Sequence, residues 1–178
     1  TTALNQLWPK EKKIIMLGDW CQNKNNQFYY IQDTITYHWH SVEKFSEDCL
    51  YLYEVYKIVM PNLARAMNER HESNYTEKYW SILMGPWLSM FIEILYDRYS
   101  SLLKAVNKYD NLETSIIKSN YVIEKYLDLH SKTQDDFFNL KLFSDIISYS
   151  KLKIKKNEID FKKNNFSNLE NSFKKYSK

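Results

Sequence analysis

The sequence predicts a helix-rich α/β lobe, a small and mostly parallel sheet packed by long helices, and three observations carry that prediction. Only two glycines and three prolines punctuate 178 residues, too few for the many tight turns of an all-β sandwich or barrel. From Tyr79 to Ile92 the chain carries no charge and sets large apolar residues, among them Trp80, Leu83, Trp87 and Phe91, in every direction around a helix. A helix of that kind has to be covered on all sides. The run Ile14-Ile15-Met16-Leu17, stopped by Gly18, has the pattern of a strand buried on both faces, as in parallel sheets. An all-α bundle is the alternative architecture.

Taken in order, Thr1 to Trp8 reads as a short lead-in ended by Pro9, and the Ile14 strand follows. After a polar QNKNNQ loop, Phe28 to Ile31 suggests a second short strand, and Ile35 to His40 looks extended. Ser41 can cap a helix, with Glu43 in its first turn favourable to the helix dipole. Phe45, Cys49, Leu52, Tyr56, Val59, Leu63 and Met67 recur at three- and four-residue steps, which predicts an amphipathic helix towards Arg70. Pro61 is expected to bend it or restart it.

The turn HESN leads into the central helix, where Asn74 is expected to cap and Glu77 to complete a weak capping box. Gly85-Pro86 predicts a kink or a break. The run ends at Glu93, too soon for a membrane span, which needs about 20 apolar residues. Tyr109 to Leu112 reads as a break and Glu113 to Lys118 as a short strand. Tyr121 to Leu129 and Asp135 to Tyr149 suggest two further helices.

Residues 151–178 hold nine lysines against Glu158, Asp160 and Glu170, a local charge of +6, so the rest of the chain carries −3 of the net +3. The expected organisation is therefore one lobe over residues 1–150 and a basic tail or interdomain connector over 151–178. That tail invites a nucleic-acid reading, yet it lacks arginine and its aromatics are scattered rather than grouped for stacking. No nucleic-acid partner is expected. Two cysteines, Cys21 and Cys49, suggest free thiols in a reducing compartment rather than a disulfide framework. No charged-then-apolar leader opens the sequence, so a cytoplasmic location is expected.

Few side chains stand out chemically. His38 and His40 lie two apart and would share one face of a strand, but a zinc site needs further ligands and none is evident, so no metal is expected. Asp19, just after the first strand, has the address of a ligand-binding loop; the alternative is a turn whose carboxylate satisfies local amides. Glu93 and Asp97 are one helical turn apart, and Arg98 could pair with either or bind an anion through its planar fork. No glycine-rich phosphate loop occurs.

Several stretches in order, TTALNQLW, IIMLGDWC, YHWHSVEK, PNLARAMNERH, YWSILMGPWLSMF and DRYSS, together resemble the amino-terminal part of a family of surface-carbohydrate transferases encoded in O-antigen and related clusters. The resemblance covers residues 1 to 105 well and DDFFNLKLFSDII more faintly. Departures are His40, where the family more often has an acidic residue, and Asp19, where glutamate is common. The resemblance implies a bacterial glycosyltransferase-like enzyme built in two lobes, this chain being the acceptor-side amino-terminal lobe and a carboxy-terminal lobe its partner.

It further implies that Asp19 or His38 is the catalytic base, and that Trp39, Asn68, Asp97 and Arg98 contact substrate, Arg98 through an anion. Trp80 and Trp87 are read as core. No cofactor is expected in this chain, with a nucleotide-activated sugar donor for the whole enzyme and a glycan acceptor. Peripheral contact with the inner membrane surface fits that role. The chain alone is expected to be inactive. The competing reading is a non-catalytic helical interaction module.

Overall fold

The computed structural model describes residues 8–9, 11–21, 31–118 and 128–159. Apolar residues of the first run form strand β1 (Ile14–Met16), followed by a 3₁₀ turn at Asp19–Cys21, and β2 (Ile31–Thr34) lies parallel to β1. A register shift between Ile14 and Ile15 brings Met16 opposite Thr34, and the amide of Ile35 donates to the Met16 carbonyl at 2.8 Å, extending the ladder by one residue. The strand expected at Phe28 to Ile31 thus starts at Ile31, and Phe28 to Tyr30 lie outside the described residues.

Helix α1 (Val42–Arg70) begins as expected, Ser41 Oγ accepting from the amide of Lys44. It runs unbroken through Pro61. Proline withholds its amide from the Lys57 carbonyl and crowds the preceding turn, and beside it the Asn62 side chain donates to the Ile58 carbonyl at 2.9 Å. Helix α2 (Glu77–Lys108) is likewise continuous through Gly85-Pro86, and its cap is Thr76 rather than Asn74, the Thr76 hydroxyl accepting from the Tyr79 amide. Asn74 and Tyr75 precede the helix without regular structure, so the capping position falls two residues later than the sequence suggested.

The two helices form an antiparallel hairpin around Leu52, Met60, Ala64, Trp80, Leu88 and Ile92. A second face of α2 packs Trp87, Phe91 and Ile94 on Leu129, Phe138 and Leu142, which come from α3 (Asp128–Lys132) and α4 (Asp136–Tyr149). The charge-free run is not covered all round: Ile82 is 68% exposed and Leu83 49%. Most of the helix expected at Tyr121 to Leu129 lies outside the described residues.

Strand β3 (Glu113–Ile117) pairs in parallel with β4 (Lys155–Ile159), Glu113 opposite Lys155 and Ile117 opposite Ile159. Residues 155–159, expected to belong to the tail, are therefore a strand of the fold, and Ile154 is buried in its core. That core joins Leu17, Ile35, Leu102, Ala105, Ile116, Phe143 and Ile147, so the end of α2 and the flank of α4 hold the two small sheets together. Between β1 and β3 opens a cavity of about 600 Å³, bordered by Ile14, Ile15, Thr114 and Ser115 and floored by Leu102, Phe143 and Ile147. Among the described residues no helix is long and apolar enough to cross a membrane.

Candidate functional site

Parallel pairing sends the carboxyl ends of β1 and β2 to the same side, where α/β sheets place their ligand-binding loops. From β1 the chain continues as Gly18-Asp19-Trp20-Cys21, turning tightly so that the Cys21 amide donates to the Gly18 carbonyl at 3.1 Å. The Trp20 ring folds back over Gly18, so that a Cβ there would lie 1.9 Å from it and would push the ring aside. The same ring lies 5.5 Å from the Arg98 guanidinium, a cation–π contact. Asp19, next to Trp20, is exposed.

From β2 the chain runs on through Thr36 and Tyr37 to His38, tied to α2 by Lys104, whose ammonium donates to the carbonyls of Thr36 and Tyr37 at 3.1 and 3.4 Å. His38 is 3% exposed, enclosed by the rings of Tyr37, Trp39 and Tyr96 with centroids 5.0, 4.6 and 6.0 Å away. Its Nε2 faces Asp97 Oδ1 at 3.7 Å, too long for a hydrogen bond. Both ring nitrogens and Asp97 Oδ1 are buried without a hydrogen-bond partner. Burial pushes the His38 pKa below that of free histidine, and the Asp97 charge opposes but does not cancel this, so the ring is held neutral.

Asp97 is fixed from behind. Its Oδ2 accepts from Arg98 Nη1, while Arg98 Nε donates to Asn139 Oδ1 at 3.0 Å. Asn139 is aimed in turn by its own amide, which donates to the carbonyls of Thr133 and Asp135 at 2.7 and 2.9 Å. The chain His38, Asp97, Arg98, Asn139 thus crosses from the strand ends through α2 to the start of α4.

Beside it lies a fully satisfied carboxylate. Asp48, on α1, accepts from Trp39 Nε1 at 3.0 Å, Lys44 Nζ at 2.6 Å and the Tyr96 hydroxyl at 2.7 Å. Burial alone would raise its pKa, but the three donors outweigh burial and leave it below the usual carboxylate value. The Tyr96 hydroxyl is shifted up by burial and by that carboxylate.

Of the residues singled out from sequence, His38, Trp39, Asp97 and Arg98 are brought together, and Asp19 is carried on the turn whose Trp20 abuts Arg98. Asn68 is not with them. It lies 20 residues from Asp48 along α1, roughly 30 Å at 1.5 Å per residue, and locks the hairpin turn. Its Oδ1 accepts from Ser73 Oγ, the Tyr75 amide and Trp80 Nε1, and its Nδ2 donates to the Tyr75 carbonyl. His40 is exposed and does not share a face with buried His38. Among the described residues no group of three or more His, Cys, Asp or Glu could hold a metal ion.

Sequence reasoning missed Asp48, Tyr96, Trp20 and Asn139. Asp48 had a readable signal: it falls on the apolar face of its helix, between Phe45 and Leu52, where a charge requires partners.

Chemically, a neutral imidazole beside an anchored carboxylate can form a base dyad. With Nε2–H turned to Asp97, Nδ1 is left as the proton acceptor. A family model described as LIC12162 family transferase matches residues 1–178. No curated protein matches the chain, and no solved structure does.

Proposed function

The chain belongs to the LIC12162 transferase family, and from that premise we propose that it is the acceptor-side lobe of a two-lobed glycosyltransferase of surface polysaccharide biosynthesis. The observation that carries the proposal is the dyad of His38 and Asp97 at the carboxyl ends of parallel β1 and β2, with three buried polar atoms unsatisfied. Leaving such atoms unpaired costs about 1–3 kcal/mol each, an arrangement that packing does not require and a reacting hydroxyl would relieve.

In this mechanism His38 Nδ1 takes the proton of an acceptor hydroxyl as its oxygen attacks the anomeric carbon of a nucleotide-activated sugar. Asp97 stabilises the imidazolium that forms. Arg98, engaged with Asp97 and Asn139, acts as a positioning residue. The departing phosphate is then left to groups of the partner lobe, and exposed Asp19 and partly buried Trp39 flank the acceptor. The enzyme works in the cytoplasm, at the inner membrane surface where such glycans are assembled.

The test is transfer by the full-length gene product from a panel of activated sugars, with His38→Gln as the control. Loss of the base should lower kcat by about 10²–10⁴-fold with circular dichroism unchanged. An unaltered rate removes His38 from the mechanism.

A further inference from the structure

Gly85, taken above only as part of a kink or break in the central helix, lines a second recess. On α1, Cys49, Leu52, Tyr53 and Tyr56 follow one another at helical spacing. On α2, Gly85, Ser89, Ile92 and Glu93 do the same, and the two sets face each other across a groove of about 310 Å³. At the floor of the groove the bare backbone of Gly85 makes room for the Tyr56 phenol: a Cβ there would stand 2.6 Å from its hydroxyl. The groove and the candidate site are built on the same two helices, Cys49 following Asp48 in the chain and Glu93 preceding Asp97 by one turn.

We propose that this groove is a carbohydrate subsite holding one neutral pyranose ring of the acceptor. The identity of the ligand as a sugar rests on the transferase reading above; the groove's own chemistry selects among sugars. Two tyrosine rings offer the flat apolar surface that the C–H face of a pyranose covers. Around them the Glu93 carboxylate, the Ser89 hydroxyl 3.5 Å from it and the phenolic hydroxyls match the hydroxyls of the ring. One carboxylate lines the groove, and the nearby ammonium of Lys57, 5.0 Å from the Tyr53 ring centroid, is already paired with Glu54 at 2.7 Å. That balance repels a phosphate or nucleotide and leaves the sugar backbone of a neutral glycan as the fitting class.

Cys49 is a built-in reporter, being the exposed thiol at the groove while Cys21 is buried. The experiment measures the rate of Cys49 modification by iodoacetamide in the full chain, with and without glucose, galactose, mannose and N-acetylglucosamine, and with inorganic phosphate and a nucleoside diphosphate as contrasts. At least one pyranose should bind with about millimolar affinity and, at twice its Kd, slow labelling by about threefold.

The protection should disappear in Glu93→Gln and in Tyr53→Ala, both exposed positions whose exchange leaves the helices intact. Labelling unchanged by every sugar, protection that survives both substitutions, or protection by phosphate instead would each overturn the subsite. The two proposals fail separately. Transfer by the full-length enzyme without sugar protection sinks the subsite alone, and sugar protection without any transfer sinks the glycosyltransferase reading alone.

Discussion

Arg98→Met isolates what the buried pair does. The guanidinium neutralises Asp97, donates to Asn139 and lies over Trp20, and both side chains of the pair are largely withdrawn from water, at 16% and 10% exposure. Stranding the carboxylate costs about 3 kcal/mol, the lower end of the range for breaking a buried pair because some water still reaches it. The lost hydrogen bond adds about 1 kcal/mol and the lost cation–π contact about 0.5 kcal/mol. The sum, about 4–5 kcal/mol, is a large share of the 5–15 kcal/mol that holds a domain folded. With a urea slope of about 2 kcal/mol/M, the unfolding midpoint should fall by about 2 M.

Asp97→Asn in the Arg98→Met background removes the stranded charge and should restore more than half of that loss, because only the two lesser contacts stay broken. The assay is equilibrium urea unfolding followed by circular dichroism. A single variant that loses less than about 1 kcal/mol, or a double variant no more stable than the single, would refute the claim that Arg98 serves to compensate a buried carboxylate.

Because the folded pKa of His38 lies below the free value of 6.5, the unfolded chain binds the extra proton first, so its contribution to stability is whole above that value and is lost as the pH falls below it. Urea midpoints measured from pH 7.5 down to pH 5 should therefore drop further for the native chain than for His38→Gln, and parallel curves would count against a buried neutral ring. Asn68→Ala removes four hydrogen bonds at the hairpin turn and should cost about 2–4 kcal/mol. In the full-length enzyme it should leave KM for the acceptor unchanged, whereas a raised KM would return Asn68 to the substrate.

What the sequence disclosed well was periodic. Helix faces over Val42 to Arg70 and Glu77 to Lys108, the buried strand at Ile14 and the short strand at Glu113 all follow from spacings that act within a few residues. The errors share a cause. Pro61 and Pro86 read locally as a bend or restart and as a kink or break; neither helix is interrupted, because tertiary packing along the hairpin outweighs one missing hydrogen bond. β4 reads as tail because Lys155 to Ile159 is almost wholly polar and lies in a lysine-rich stretch, and only its distant partner β3 makes it a strand. Asn68 carried no signal of its own beyond the family resemblance, and its role is set by a turn whose geometry composition does not encode.

The candidate site follows the same logic one level up. Asp48 and Asp97 sit on helix faces that elsewhere bury leucine, isoleucine and alanine, where the hairpin core gives way to the core beneath the sheets. One of these carboxylates is saturated by Trp39, Lys44 and Tyr96; the other keeps an oxygen unpaired towards His38. If the seam served packing alone, both would be satisfied or both replaced by apolar residues, since an unpaired buried acceptor lowers stability for no structural return. The contrast between neighbours in one seam is what supports the proposal that Asp97 backs a proton transfer at His38, while Asp48 ties Trp39, Lys44 and Tyr96 together beside it.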